Sequence, residues 1–340
     1  MRIGILTGGG DAPGLNGVIR ALTLAAKRDG HTVIGIRRGW AGLVNPDYCE
    51  LDVCAVEGIS LEGGTILGTS RTNPQKIEDG YNKVYHNAKE VLKLDVLVAI
   101  GGDDTLSVAA KLTEMGFPVV GIPKTIDNDV WGTDQTFGFD TAVNIAVEAI
   151  DRLRTTAASH DRIMVVEVMG RHAGWIALFA GIACEADIIL IPEIQFSIED
   201  VCKKISEIRK RKNYAIVVVA EGATPKDLEL WQTAERDAFG HVRLGGIGPA
   251  LEKEIQKRTG FETRSVVLGH LQRGGPPSAY DRWLTARFGL AAYDFIKEKK
   301  YGHMVALRGT DIIAVPLKDV FGKNRYVSPE LFEKMSLLFQ

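Results

Sequence analysis

The sequence predicts an α/β protein made of two doubly wound units, each a mainly parallel sheet covered by helices. Three observations predict it. Short β-branched apolar runs alternate with stretches of helical periodicity along the chain. The runs are continuously apolar, as strands buried on both faces are. They are also more numerous than one ordinary sheet holds.

The first run, 2–6, leads into Thr7-Gly8-Gly9-Gly10 and then a helix over 16–29. A strand follows at 32–36. Strands at 96–100 and 119–122 flank a helix over 105–115. A long helical pattern over 141–156 puts the boundary between the units near residue 140. Beyond it come strands at 162–168, 188–191, 215–220, 265–268 and 312–316, with helices over 198–212 and 280–299. The polar stretch 225–248 reads as an insertion or a long surface excursion.

The chain has 340 residues, enough for two sizeable cores. It is 45% hydrophobic and 25% charged, which is ordinary for a soluble globular protein. A formal net charge of −2 gives no whole-protein field for nucleic acid or an acidic membrane, so an anionic ligand needs a local basic cluster. The four cysteines, Cys49, Cys54, Cys184 and Cys202, lack CxxC spacing. Neither a zinc site nor a disulfide framework is expected, and a reducing compartment fits. The opening residues enter a strand and turn without a signal-peptide layout, and no apolar run spans a bilayer, so a cytoplasmic protein is expected.

In doubly wound sheets, ligands bind beyond the carboxyl ends of the strands. Three such ends carry chemistry. In Thr7-Gly8-Gly9-Gly10-Asp11 the glycines allow positive φ and leave amides able to face an anion; a plain tight turn is the alternative. Gly101-Gly102 is followed by two carboxylates, Asp103 and Asp104. Beside a phosphate loop such charge makes sense with Mg²⁺, which takes carboxylate and phosphate oxygens together. Asp103 suits the metal; Asp104 either points beside the phosphates or caps a helix starting at Thr105. In Pro123-Lys124-Thr125-Ile126-Asp127-Asn128-Asp129 one carboxylate can take a proton from a hydroxyl nucleophile while the other holds metal. Lys124 can neutralise a polyphosphate; an Asx-rich turn is the alternative. Scattered cations (Arg71, Arg162, Arg171, Arg264, His270 and Arg273) suit phosphate oxygens as a group, although each singly fits an ordinary surface residue. Glu221 follows the strand at 215–220 and could accept sugar hydroxyls or cap a helix. Together these features describe Mg²⁺-dependent phosphoryl transfer to a hydroxyl of a phosphorylated substrate.

The ordered motifs GGGDAPGLN, GGTILGTSR, GGDDT, PKTIDND, AIDRLR, VVEVMGRHAGW, AEG and RSVVLGHLQRGGPPSAYDR resemble those of the 6-phosphofructokinase family over almost the whole chain. The resemblance implies two similar Rossmann-like three-layer α/β/α domains. The larger, donor-binding domain would hold residues 1–140 and about 268–302. The smaller, sugar-phosphate domain would hold 141–267 and about 303–325, leaving 326–340 as a C-terminal extension. It implies Asp127 as general base toward the 1-hydroxyl of fructose 6-phosphate. It implies Asp129 and Asp103 toward Mg²⁺, Arg71, Gly9, Gly10 and Gly102 toward the donor, and Thr125 toward the sugar or the transferring phosphoryl group. Met169, Gly170, Arg171 and Glu221 would line the sugar. His270, Arg273, Arg162 and Arg264 would meet its phosphate, the last two from a neighbouring subunit, so a homo-oligomer, dimer or tetramer, is implied.

ATP-using bacterial members have glycine where this chain has Asp104 and Lys124. The pair resembles the pyrophosphate-dependent branch. An aspartate at 104 fills and repels where an α-phosphate would lie, and a lysine at 124 suits a compact diphosphate. The expected substrates are fructose 6-phosphate and pyrophosphate, in a reversible glycolytic reaction; the alternative is ATP as donor. Positions 24 and 54, Leu and Cys, lack the basic residues that serve effectors in allosteric ATP-users. Arg20 and Arg154 remain. A kinase acting on NAD or a lipid fits the MGR and GHLQRGG stretches poorly, and a non-catalytic sugar-phosphate regulator is expected to lack the base.

Overall fold

In the computed structural model, which describes residues 1–227 and 246–339, the apolar runs become strands and the periodic stretches become helices. In chain order the elements are β1 (Arg2–Thr7), α1 (Leu15–Arg28), β2 (Thr32–Ile36), α2 (Ala41–Val44), β3 (Tyr48–Leu51), α3 (Gly80–His86), β4 (Val96–Gly101), α4 (Asp103–Glu114), β5 (Val119–Pro123) and α5 (Phe139–Ser159). They continue as β6 (Ile163–Val168), α6 (Trp175–Ala183), β7 (Ile188–Leu190), α7 (Ile198–Arg209), β8 (Ala215–Ala220), α8 (Ile247–Thr259), β9 (Thr263–Val267), α9 (Ala279–Lys297), β10 (His303–Arg308), β11 (Asp311–Pro316) and α10 (Pro329–Ser336). Most of the polar stretch at 225–248 lies outside the described residues.

The chain divides into two units. Unit 1 holds Met1–Ile126, Val130–Asp140 and Arg273–Asn324; unit 2 holds Asp127–Asp129, Thr141–Gln272 and Arg325–Gln340.

Unit 1 carries a seven-stranded sheet ordered β11-β10-β5-β4-β1-β2-β3. Its five central strands are parallel, and β3 and β11 pair antiparallel at the two edges. Alternate residues of each strand serve opposite faces. Ile3, Ile5, Val96, Val98, Val120 and Ile122 meet α1 and α9 on one side. Leu6, Leu97, Ala99 and Val119 meet α4 and the segment around Val84 on the other. Two helical layers thus cover one sheet, and the apolar runs needed no polar face.

Unit 2 carries a four-stranded, wholly parallel sheet ordered β7-β8-β6-β9. Ile163, Val165, Val217 and Val219 pack against Val201 and Ile205 of α7 and Leu251 and Ile255 of α8.

Two segments differ from the sequence expectation. Residues 303–324 belong to unit 1, because β10 pairs in parallel with β5. The stretch from Arg325 onward is no separate extension; it is part of unit 2, where the Val327 N–H donates to Glu193 at 2.9 Å.

Candidate active site

The three motif loops of unit 1 sit beyond three neighbouring strands. The chain places β2 on one side of β1 and β4 on the other, the reversal at which doubly wound sheets bind ligands. Register puts Thr7 beside Ile100 and Gly101 beside Pro123. Gly8 N–H donates to the Ile100 carbonyl and Lys124 N–H to the Gly101 carbonyl, both at 2.9 Å. The turn after β1, the start of α4 and the residues after β5 therefore begin side by side.

Gly9 adopts φ 78°, which a side chain would disfavour. Its N–H donates to the Ser70 carbonyl at 3.1 Å, and its own carbonyl accepts from Thr69 Oγ1 at 2.5 Å. These bonds hold Thr69 and Ser70 against the glycine turn, and the exposed Arg71 follows directly. Lys124 is 3% exposed, and its ammonium donates to the Gly10 carbonyl. Arg273 is 8% exposed and donates through Nη1 to the Asp11 carbonyl at 3.0 Å. Buried cations need such partners, and here carbonyls of the turn accept from each of the two. Two positive charges thus gather where an anion would approach. The guanidinium of Arg273 lies in unit 1 on the glycine turn, whereas the family resemblance assigns it to the sugar phosphate.

α4 starts at Asp103, two residues before Thr105. Gly102 occupies the N-cap with φ −80° and ψ −168° and makes no side-chain cap. Asp104 is the second helical residue, so the reading of Asp104 as the cap is corrected. Asp103 and Asp104 both fall in the first turn, where the helix dipole favours each carboxylate by about 0.3–1 kcal/mol. That is how one loop tolerates two adjacent acids. Sequence reasoning missed Thr105: its buried Oγ1 would lie 2.6 Å from a Cβ at Gly8, so it packs the helix start against the glycine turn. Only its place after the Asp pair hinted at this.

Asp127 and Asn128 are 4% and 2% exposed and belong to unit 2. Asn128 has φ 54°, left-handed for a non-glycine residue. Thr125, still in unit 1, accepts from Thr136 Oγ1 at 2.7 Å through its carbonyl.

In unit 2 the register pairs Val168 with Ala220 and Glu167 with Val267. Met169-Gly170-Arg171, Glu221 and His270 therefore follow three strand ends on one side of the sheet. Glu221 Oε1 accepts the Arg171 N–H at 3.0 Å, and the Glu221 N–H donates to the Val168 carbonyl at 2.8 Å. His270 is exposed in the turn that follows β9. Arg162 and Arg264 are not brought here. Arg162 precedes β6 and Arg264 is the second residue of β9, at the opposite end of the sheet, about 20 Å away along the strands. Both pair with Glu262, at 2.9 and 2.8 Å.

Glu167 has a purely local role. It is 2% exposed and accepts N–H bonds from Gly246 and Gly248 at the start of α8. Burial pushes its carboxyl above the usual range. Among the described residues no group of three or more His, Cys, Asp or Glu could hold a metal unaided, and no helix is long and apolar enough to cross a membrane.

Gly222 is where close approach matters most. A Cβ there would overlap the Arg171 carbonyl. Gly222→Ala is expected to cost about 1–3 kcal/mol in stability, as overpacking does. It should also weaken the binding of a ligand beyond these strand ends, because it pushes on the turn that sets Arg171 and Glu221. Denaturant melts and ligand titration measure the two effects.

Comparison with known proteins agrees with this geometry. The model of the family described as Phosphofructokinase matches residues 2–296. The pyrophosphate--fructose 6-phosphate 1-phosphotransferase of Streptomyces coelicolor is 54% identical, covering 100% of both chains. The ATP-dependent 6-phosphofructokinase 3 of the same organism is 51% identical, covering 94% of each. The solved phosphofructokinase of Pichia pastoris superposes with a TM-score of 0.84 at 33% identity, covering 94% of this chain and 35% of that one. The strand-end loops and the full-length likeness together establish that the chain belongs to the phosphofructokinase family.

Proposed function

We propose that the chain transfers a phosphoryl group from pyrophosphate to the 1-hydroxyl of D-fructose 6-phosphate with Mg²⁺, giving fructose 1,6-bisphosphate and phosphate, reversibly. One observation carries the donor assignment: Asp104 is the second residue of α4, inside the first turn beyond β4. A nucleotide donor needs room there for an α-phosphate, and a carboxylate takes that room and repels it. Lys124, buried against the glycine turn, supplies a fixed cation for a compact diphosphate. Relatives named for both donors have similar identity, so these two residues decide the choice.

In this reading the 1-hydroxyl oxygen attacks the terminal phosphorus. The bond to the bridging oxygen breaks, phosphate leaves, and Asp127 takes the hydroxyl proton. Lys124, Arg71 and Thr125, with the Gly9-Gly10 turn and Gly102, neutralise and orient the donor. Asp103 and Asp129 would hold Mg²⁺, which supplies charge neutralisation on the phosphate oxygens. The donor set fits this ion, since magnesium takes one or two carboxylates and completes its shell with phosphate oxygens and water. Met169, Gly170, Arg171, Glu221 and His270 hold the sugar, and Arg273 meets its phosphate. Arg162 and Arg264, at the far end of their sheet, serve the sugar phosphate of a neighbouring copy. The active form is then a cytoplasmic homo-oligomer, dimer or tetramer, in glycolysis and gluconeogenesis.

The test is phosphorylation of fructose 6-phosphate with Mg²⁺, supplying pyrophosphate or ATP in parallel. Turnover with pyrophosphate alone is expected. Turnover with ATP alone would keep the family and overturn the role given to Asp104.

A further inference from the structure

We propose that Arg325, stacked on Trp175, is a positioning residue that sets the Asp127–Asn128–Asp129 loop for catalysis. The inference rests on the reading of Asp127 as base and Asp129 as a metal ligand.

These three residues belong to unit 2, although Ile126 and Val130 on either side belong to unit 1. No strand or helix contains them. Asn128 sits at φ 54°, a conformation that costs about 1 kcal/mol and persists only where the surroundings impose it. Arg325 is part of those surroundings. Its backbone N–H donates to the Asp129 carbonyl at 2.8 Å, and its Nη1 donates to the Asn128 carbonyl at 3.3 Å.

Arg325 is itself held. Its guanidinium lies 4.1 Å from the centre of the Trp175 ring. The Trp175 Nε1–H donates to the Arg325 carbonyl at 2.9 Å. Trp175 is 5% exposed and opens α6. Two residues further on, the Val327 N–H donates to Glu193, which also accepts the Gly174 N–H at 2.9 Å. The segment 325–327 is therefore pinned twice to the start of α6, and it reaches the catalytic loop through one side chain and one amide. An arginine does this as a lysine would not, because its planar head stacks and donates at once. The bonded carbonyls are those of residues 128 and 129, so a shift in Arg325 moves the carboxylates on either side.

The experiment uses the full chain carrying Arg325→Ala, Arg325→Lys, Trp175→Phe or Asp127→Asn. It measures kcat and KM for both substrates, and Tm. For Arg325→Ala, kcat is expected to fall about 100-fold, the usual cost of a misplacement near 1 Å. KM for each substrate should stay within about threefold, since binding is not what the loop's position controls. Free guanidinium ion, kept well below denaturing concentrations, should restore part of the rate of Arg325→Ala and none of Asp127→Asn. Arg325→Lys should recover little, and Trp175→Phe, which removes the Nε1–H bond and weakens the stack on Arg325, should fall between parent and Arg325→Ala.

Wild-type kcat in Arg325→Ala would overturn the proposal. So would a joint collapse of kcat, KM and Tm without guanidinium rescue, provided Trp175→Phe folds and turns over like the parent. Asp127→Asn separates the two levels of inference. If it is inactive while Arg325→Ala is normal, only the positioning role fails. If it turns over normally, the reading of Asp127 as base fails.

Discussion

Asp127→Asn is expected to lower kcat about a thousandfold, the middle of the range for loss of a general base. The amide keeps the shape of the carboxyl and can still accept a hydrogen bond, but it cannot take the hydroxyl proton. The site is 4% exposed, and exchanging a charged group there for a neutral one of equal size creates no cavity and removes no buried hydrocarbon. The fold and the KM for fructose 6-phosphate should therefore survive, which isolates the chemical step. Asp129→Asn should behave differently. A carboxylate that helps hold Mg²⁺ is missed most when the ion is scarce, so its rate should recover in part as Mg²⁺ is raised, whereas that of Asp127→Asn should not. Steady-state kinetics across a Mg²⁺ series reads both. Retention of more than about a tenth of the parent rate in Asp127→Asn would remove this residue from the role of base, since such a loss lies below what a general base contributes.

The parts legible in the sequence are those whose physics is local. β1, β4, β5, β6 and β8 read directly, because strands covered on both faces need unbroken apolar runs. The three strand-end motifs read because glycines, paired carboxylates and Lys-Thr after a buried strand each have a chemical reason to be there. β3 was missed because it is four residues long at a sheet edge and half exposed. The helix α6 was missed because its sequence, WIALFAGIA, is apolar on nearly every side and shows no polar face to mark the period. What sequence could not carry was pairing over long separations. The return of 303–324 to unit 1 depends on β10 lying beside β5, and the hold of Arg325 on residues 128 and 129 spans almost two hundred positions. The position of Asp104 was ambiguous for a different reason. Cap and first turn share the same residue preferences, and only the backbone shows that Gly102 already holds the cap.

Asp104→Gly is expected to change the donor. The parent should use pyrophosphate and show no turnover with ATP; the variant should turn over with ATP while its kcat/KM for pyrophosphate falls. The substitution loses a favourable charge in the first turn of α4 and adds a glycine to the helix, together about 1–2 kcal/mol. That is small beside the stability of a domain, so loss of fold does not confound the assay. Lys124 should limit the gain. Its ammonium donates to the Gly10 carbonyl beside the glycine turn, and in the proposed reading it favours a short, dense anion over a longer one. Lys124→Gly alone should cost pyrophosphate use about 100-fold, as loss of a buried cation facing a transferring phosphate does, without admitting ATP while Asp104 remains. The double variant should use ATP better than the two single changes together predict. The two residues stand after the adjacent strands β4 and β5 and, in the proposed reading, act on the same phosphates, so their effects should be coupled rather than additive. Additive effects on ATP turnover would mean that Asp104 and Lys124 act on separate parts of the donor. An unchanged donor preference in the double variant would mean that exclusion of the nucleotide is built elsewhere in the chain.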